Sequence, residues 1–366
     1  MYLHGKENQL FFFTRRGFSE PRAAARNSFT ICFGNRRSIN FSVGKSVSFR
    51  FFRVVVMDMN LLTLARTYDS DAKCRLYLEE LAWPDGAKCP RCQSDKISRI
   101  EKRHQYDCDS CRYQFSVTAG TIFHDSHLPL WKWFAAIYLM CESKKGMSAM
   151  QIKRTLGIGY KTAWYLCHRV RAAIQSVEGK EEARFVGEVE VDETYIGGKD
   201  KNRHANKRKY GTGRHYAEKA TVIGAIERGG RVRARVVPIT DTATLDSFVR
   251  EAVSQKVTLI ATDEHSGYRL LGKDYNHGTV NHGKGEYVVG AIHTNTIESF
   301  WSLLKRGIVG SYHKVSKEHL PAYVSEFEFR FNNRKNPHLF RDTLKRLLST
   351  EPLPFEKLTS KKSQAA

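Results

Sequence analysis

The most constraining feature of the sequence is a set of four cysteines arranged as two Cys-x-x-Cys pairs. Fifteen residues separate the pair Cys89 and Cys92 from the pair Cys108 and Cys111. Each pair can present two thiolates to one ion, and this spacing is typical of a tetrahedral structural zinc site. The pattern therefore predicts a zinc ribbon over residues 85–120, with short strands in Ser98–Tyr106 between the pairs and no open coordination position on the Zn²⁺. Disulfide bonds or unrelated thiols are the alternative interpretation.

The charge of the chain indicates a polyanionic partner. Its 366 residues include 60 lysines and arginines against 38 acidic residues, a formal net charge of +22. Double-stranded DNA is the partner that this charge favours, and a merely soluble cationic protein is the alternative. No apolar run approaches the roughly 18 residues that cross a bilayer. The other four cysteines are scattered, unlike a secreted disulfide framework. We therefore expect a cytoplasmic, nucleoid-associated protein without membrane contact.

The two ends of the chain differ from its middle. Residues 1–56 are rich in phenylalanine, lysine and arginine, contain two acidic residues and show no clear period. We expect a poorly structured basic extension there, with a composition that faintly resembles a transit peptide. Our hypothesis is that the native protein starts at Met57 or Met59. Residues 57–84 are predicted to form an N-terminal helical segment, and residues 346–366 a C-terminal tail.

Residues 129–178 show apolar positions at helical spacing, interrupted by a short turn at 157–159. A helix, a tight turn and a second helix are the elements of a helix-turn-helix DNA-binding domain. The pattern alone fits a plain helical hairpin equally well, and the net charge favours the DNA-binding interpretation. The side chains expected on or near the exposed face are Tyr160, Lys161, Thr162, His168 and Arg169.

A second basic stretch lies between Gly198 and Ala220. It contains eight lysines and arginines against two acids. Such a loop either contacts DNA phosphates or is simply solvated. We favour phosphate contacts, because the acidic residues nearby form a candidate site whose substrate would be anionic. The residues expected to contact DNA here are Lys199, Lys201, Arg203, Lys207, Arg208 and Lys209.

Two aspartates stand where predicted strands end. Asp192 follows an alternating stretch, and Asp263 follows the apolar, β-branched run 256–262. Strand ends of this kind meet at the edge of an α/β sheet where ligands bind. A third acid, Glu298, lies near the start of a predicted helix, and Lys305, seven residues later, projects from nearly the same side. The predicted apolar stripe of this helix is Ile297, Phe300, Trp301 and Leu304. We therefore expect the three acids and Lys305 to form one site.

The three acids predict a site for divalent metal ions. Carboxylate oxygens suit Mg²⁺ or Mn²⁺, and two ions held about 4 Å apart would act on a DNA phosphate. Taken singly, Asp192 is also explained as a turn residue, Asp263 as a loop cap and Glu298 as a capping-box residue. Glu193 points to the opposite face in a strand of period two, so we expect a supporting or structural role for it.

These residues resemble a known family. Asp192, Asp263, Glu298 and Lys305 look like the DDE triad and following basic residue of bacterial insertion-sequence transposases. The cysteine pairs, the helical block and the stretch from Val191 to Gly198 are similar to the zinc-ribbon group called ISXO-like transposases. The resemblance covers roughly residues 60–345.

The resemblance implies an α/β fold. A mixed sheet flanked by helices would form an RNase H-like catalytic domain over residues 186–345, preceded by the zinc ribbon and the helix-turn-helix-like domain. Asp192 would lie on the first strand, Asp263 on the fourth and the third ligand on a later helix. Some relatives use asparagine in this motif, which makes Asn295 the alternative third ligand.

The resemblance also implies an activity. It is binding of an element's terminal inverted repeats, hydrolytic nicking of the ends and transfer of the 3′-hydroxyl to target DNA. Joining two ends implies a homo-oligomer on DNA, and Arg306, next to Lys305, is expected to contact the DNA. Two alternatives stay open: a transposase-derived DNA-binding protein without catalysis, and an RNase H-fold nuclease without strand transfer.

Overall fold

The computed structural model describes the backbone of residues 28–33 and 37–42, and residues 59–175, 183–198, 219–281, 288 and 290–360 in full. The chain forms two units, residues 1–57 and 58–366. In the first unit, β1 (Ser28–Phe33) pairs with β2 (Arg37–Ser42) as an antiparallel hairpin. The other residues of the predicted extension 1–56 lie outside the described part of the chain.

The second unit begins with two helices and a small sheet. The helices are α1 (Leu61–Thr67) and α2 (Asp71–Ala82), and the Asn60 side chain caps α1 by accepting from the N–H of Thr63. The sheet contains β3 (Ile97–Ile100), β4 (Gln105–Cys108) and β5 (Gln114–Phe115), all antiparallel. Its small core consists of Cys89, Cys108 and Phe115. The predicted short strands between the cysteine pairs are thus present.

Three helices follow: α3 (Leu130–Glu142), α4 (Ala149–Leu156) and α5 (Tyr160–Gln175). The Ser148 side chain caps α4 by accepting from the N–H of Gln151. Gly157 ends α4 in the left-handed region at φ 59°, where a side chain would be strained. Helices α4 and α5 therefore show the predicted order of a helix, a tight turn and a second helix.

The largest sheet of the described residues consists of five strands. They are β6 (Glu188–Ile196), β7 (Ala220–Glu227), β8 (Val232–Val237), β9 (Leu259–Thr262) and β10 (His277–Thr279). The order is β10-β9-β6-β7-β8; β6, β7 and β8 are antiparallel, whereas β9 and β10 run parallel to β6. The crossover from β8 to β9 contains α6 (Thr242–Ala252). This mixed sheet confirms the predicted RNase H-like fold class.

Helices cover both faces of the sheet. Helix α6 packs on one face through Leu245, Phe248 and Val249, all buried. The other face is covered by α7 (Asn295–Gly307), by a π-helical turn at Ile308–Tyr312 and by α8 (Leu320–Asn332). The predicted apolar stripe of α7 forms this contact, because its residues are at most 3% exposed: Ile297, Phe300, Trp301 and Leu304.

The C-terminal helices return to the N-terminal helical core. The last two are α9 (Leu339–Ser349) and α10 (Phe355–Thr359). Phe329 of α8 and four residues of α9 are buried in the same cluster as α3 and α5. Leu347, inside the predicted tail 346–366, is fully buried. No helix in the described ranges is long and apolar enough to span a membrane.

Candidate active site

Strand β6 and its neighbour β9 bring the two aspartates together. The strands are parallel, and Glu190 lies opposite Ala261, so Asp192 and Asp263 each lie two residues further along in the same direction. Asp263 directly follows the end of β9, as predicted. The expectation that Asp192 stands at a strand end is wrong, because β6 continues to Ile196 and Asp192 pairs with Gly224 of β7. Oxygen atoms of Asp192, Glu193 and Asp263 all lie within 4.8 Å of one another. The structure therefore groups the two predicted aspartates, and adds Glu193 to them.

The electrostatics of this acidic group favour a bound cation. Burial, with the nearby charges of Glu193 and Asp263, raises the pKa of Asp192 to about 7. Burial and the charge of Asp263 also raise the pKa of Glu193. Three carboxylates this close repel one another unless a proton or a metal ion neutralises them. An all-oxygen donor set fits a hard ion such as Mg²⁺ or Mn²⁺.

Helix α7 supplies the remaining predicted side chains. Glu298, Lys305 and Arg306 line the same cavity as Asp192 and Asp263, with a volume of about 520 Å³. Glu298 is not in the 4.8 Å group formed by the described acids; its Oε1 accepts a hydrogen bond of 3.0 Å from Thr294 Oγ1. Asn295, the alternative third ligand, is exposed at the first position of α7 and is not among the residues that line the cavity.

A tryptophan orients Asp192. The indole Nε1 of Trp301 donates a hydrogen bond of 2.9 Å to Asp192 Oδ2. Gly224 lies opposite Asp192 on β7, and a Cβ there would come within 2.6 Å of the Trp301 ring. Glycine is therefore needed for the ring to reach the carboxylate. Sequence periodicity identified Trp301 only as an apolar side chain, and nothing in the pattern showed its hydrogen bond.

Glu193 contacts both the loop after β9 and the other two acids. Its side chain leaves β6 on the face opposite Asp192, as alternation predicts, where the Tyr268 hydroxyl donates to its Oε2 at 2.9 Å. Tyr268 is buried in the loop after Asp263, and the Asp263 carboxylate accepts from the N–H of His265 in that loop. Glu193 therefore contacts the loop that carries Asp263 while one of its oxygens stays near the other two acids.

The four cysteines predicted to bind zinc converge. Their sulfur atoms lie within 4.8 Å of one another, with Sγ–Sγ distances of 3.6 Å for Cys89 and Cys111 and 3.5 Å for Cys92 and Cys108. Tetrahedral Zn²⁺ with bonds of about 2.3 Å separates its sulfurs by about 3.8 Å. The arrangement fits a structural Zn²⁺ held by Cys89, Cys92, Cys108 and Cys111. All four are free of disulfide bonds.

The five residues of α5 that were expected on its exposed face differ in their exposure. Tyr160, Lys161 and Thr162 are exposed, as expected. The expectation for His168 and Arg169 is wrong, because they are 2% and 4% exposed. Rings of α8, α10 and the residues around α3 cover this part of α5. Arg169 donates to the carbonyl of His124 at 2.7 Å, and His168 packs against the His319 ring.

The stretch that contains α4 and α5 carries exposed basic side chains. No acidic residue occurs between Glu142 and Gln175, so the surface carries no compensating negative charge from this stretch. Its exposed basic side chains are Lys144, Lys145, Lys153, Arg154 and Lys161. The first four were not selected from the sequence, although the absence of acids was a usable signal. The predicted contacts of the second basic stretch lie outside the described residues: Lys199, Lys201, Arg203, Lys207, Arg208 and Lys209.

Comparison with known proteins gives consistent matches. A family model described as an ISXO2-like transposase domain matches residues 184–332, and one described as a transposase zinc-ribbon domain matches residues 69–114. A Halobacterium salinarum protein named "Uncharacterized protein in transposable element ISH50" is 28% identical over 300 residues, which is 78% of this chain and 98% of the relative. An "Uncharacterized transposase-like protein" of Haemophilus influenzae is 32% identical over 104 residues, 28% of this chain and 82% of the relative.

Proposed function

Because this chain belongs to the ISXO2-like transposases with a zinc-ribbon domain, we propose that it nicks and joins DNA at the ends of an insertion sequence. The substrate is double-stranded DNA that carries the element's terminal inverted repeats, and the acceptor is target DNA. Nicking is metal-dependent hydrolysis, and the exposed 3′-hydroxyl is then transferred to the target.

One observation carries the proposal. The carboxylates of Asp192 on β6 and of Asp263 just after β9 lie close together, and Glu298 and Lys305 of α7 line the same cavity. An acidic cavity repels DNA unless metal ions neutralise it, and Lys305 and Arg306 at its wall add positive charge for a phosphate. The acids alone would be an unremarkable surface cluster, so their combination with a cationic helix flank is what points to phosphoryl transfer.

The side chains have separate roles in this proposal. Asp192, Asp263 and Glu298 would hold Mg²⁺ or Mn²⁺, whose chemistry when bound would be activation of the attacking hydroxyl and stabilisation of the leaving oxygen. Trp301 keeps the Asp192 carboxylate oriented through its indole N–H. Lys305 and Arg306 bind phosphate oxygens flanking the cleaved bond. Glu193 supports the site from the opposite face of β6, through Tyr268.

The helix-turn-helix binds the DNA ends. Tyr160, Lys161 and Thr162 are exposed in the first turn of α5, so they reach the bases, as the first residues of a recognition helix do. Lys153 and Arg154 of α4 contact the phosphate backbone beside them. The zinc ribbon contributes a rigid second contact, and the joining of two ends requires at least two copies of the chain.

The experiment uses a plasmid that carries the genomic sequences flanking the gene for this chain. The full-length protein is incubated with it and Mg²⁺, and nicked and joined products are counted. We expect wild type to give both products. In Asp263→Asn the yield of both should fall more than about 100-fold, which exceeds the loss typical of a residue that only hydrogen-bonds to a metal ligand. Glu264→Gln is the matched control, because Glu264 is the adjacent exposed carboxylate.

Each alternative gives a different result. Binding without nicking by wild type would identify a DNA-binding protein without catalysis, and nicking without joining would identify a nuclease. Either outcome contradicts the proposal. For the third ligand, Glu298→Gln is expected to lose metal-dependent cleavage and Asn295→Ala to keep it. Loss in the Asn295 variant alone would transfer the role to Asn295.

A further inference from the structure

A buried glutamate joins the strand of Asp192 to the helix of Glu298. Glu190 lies two residues before Asp192 on β6, on the same face, and is 0% exposed. Its Oε2 accepts from the N–H of Thr296 at 2.7 Å and from the N–H of Ile297 at 3.0 Å, and its Oε1 accepts from Thr296 Oγ1 at 2.9 Å. All three donors belong to the first turn of α7.

These bonds replace a missing helix cap. The N-cap residue of α7 is Thr294, whose side chain makes no capping hydrogen bond and donates instead to Glu298. The first N–H groups of a helix have no partner within it, and a side-chain oxygen normally accepts from them. At α7 that oxygen comes from a neighbouring strand. The negative charge also suits the positive end of the helix dipole.

We propose that Glu190 is a positioning residue for the third metal ligand. This inference rests on the proposed function. Glu298 follows Ile297 directly, so the bonds from Glu190 fix the start and the rotation of α7 relative to β6. They thereby fix the distance between the Glu298 carboxylate and Asp192. Glu190 does not contact substrate or metal, and it acts only through the helix.

A different role for Glu190 must be separated from this one. Arg228 donates to Glu190 Oε1 at 2.8 Å, and also to Glu188 and to the carbonyl of His293. The His293 Nδ1 lies 3.0 Å from the same Glu190 oxygen. The alternative role of Glu190 is therefore that of a buried counter-ion for Arg228 alone. A counter-ion needs the negative charge, whereas a cap needs an oxygen acceptor.

Substitutions at Glu190 distinguish its role as a hydrogen-bond acceptor for α7 from its role as a negative charge beside Arg228. Glu190→Ala removes both, and we expect it to weaken Mn²⁺ binding to the full chain by about 10–100-fold, the loss typical of groups that orient a metal ligand. Glu190→Gln keeps an oxygen and loses the charge, and we expect it to restore most of that binding, because amides cap helices about as well as carboxylates. Mn²⁺ binding is measured by electron paramagnetic resonance, and the Mg²⁺ concentration for half-maximal nicking should rise in parallel.

Two further variants complete the experiment. Glu188→Gln is the matched control: Glu188 lies two residues earlier on the same strand, also pairs with Arg228 and is 41% exposed. It should bind Mn²⁺ like wild type. Thr296→Val removes one donor without creating a buried charge, and should weaken Mn²⁺ binding in the same direction but less. Should Glu190→Ala not fold, Glu190→Gln and Thr296→Val decide.

The outcomes separate this inference from the proposed function. A wild-type chain that neither binds Mn²⁺ nor nicks DNA overturns the proposed function and the inference with it. Normal wild-type behaviour together with unchanged Mn²⁺ binding in Glu190→Ala overturns the inference alone. So does Glu190→Gln that behaves like Glu190→Ala, because charge would then be the property that matters. In the Glu298→Gln background, Glu190→Ala should add little; a full additional loss would mean that Glu190 acts elsewhere.

Discussion

Two buried glutamates hold helices of the second unit in place, and they differ in their partners. Glu190 accepts mainly from backbone and hydroxyl donors at the start of α7. Glu326 of α8 is 1% exposed and accepts from Arg171 at 2.6 Å, from Arg330 and from the Tyr312 hydroxyl. Burial alone would raise the pKa of Glu326, but the two arginines hold it below its ordinary value.

The different partners indicate different roles for the Glu190 and Glu326 contacts. Arg171 belongs to α5 and Glu326 to α8. Their ion pair therefore connects α5 to a helix that also covers the five-stranded sheet. The guanidinium of Arg171, which is 1% exposed, lies 4.0 Å from the centre of the Tyr323 ring and adds a cation–π contact. Breaking these contacts should affect stability. Breaking the Glu190 contact should affect the metal site, because its donors are one and two residues from Glu298.

The largest expected effect is on the Glu326 side. Glu326→Ala leaves Arg171 and Arg330 buried without their carboxylate, and loss of one partner of a buried ion pair costs about 3–5 kcal/mol. The free energy of unfolding, measured by chemical denaturation, should fall by that amount. Glu318→Ala, at an exposed glutamate just before α8, is the control and should change it little. A stable Glu326→Ala protein with weakened Mn²⁺ binding would reverse the comparison.

The next effect concerns the two adjacent acids of β6. Asp192→Asn should lose more than about 100-fold in nicking, whereas Glu193→Gln should lose about tenfold, the lower range for partners of metal ligands. The reason is direction: Trp301 holds Asp192 in the cavity, and Tyr268 holds Glu193 on the other face. Initial nicking rates at saturating Mg²⁺ measure both. Equal losses would make Glu193 a ligand in its own right.

Acid should weaken the helical side of the molecule. Burial, with Arg171 and His319 nearby, lowers the pKa of His168 to about 3, and the rings of Trp164 and Tyr323 enclose it. The stability from the neutral ring is therefore complete above the ordinary value of 6.5 and is lost as the pH falls towards 3. From pH 7.5 to 5.5 this group should cost about 1.4 kcal/mol.

His168→Gln tests this pH dependence. The variant cannot take up the proton on unfolding, so its free energy of unfolding should fall less between these two pH values than that of wild type. His127→Gln, at an exposed histidine, is the control and should behave like wild type. An unchanged pH dependence in His168→Gln would mean that other groups cause it.

Local patterns predicted the parts of this molecule that depend on neighbouring residues in the sequence. The cysteine spacing, the strand-end position of Asp263 and the apolar stripe of α7 are of this kind. The cap from Glu190 and the bond from Trp301 to Asp192 were not predictable, since their partners lie 106 and 109 residues away. The same reason explains the error at Arg169. Its burial depends on α3 and on residues near His124, which helical periodicity within α5 does not describe.

The smallest expected effect compares two cations on one helix. Lys161 is exposed in the first turn of α5, and Arg169 is buried over the Trp133 and Tyr165 rings. Lys161→Ala should reduce the slope of log K for DNA binding against log salt by about 0.9, the effect of one lost phosphate contact. Arg169→Ala should leave that slope unchanged and lower the stability instead, because its charge does not reach the surface. Binding isotherms at several salt concentrations, with unfolding curves for both variants, measure the difference. A reduced slope in Arg169→Ala would place that guanidinium on the DNA and restore the interpretation that burial contradicts.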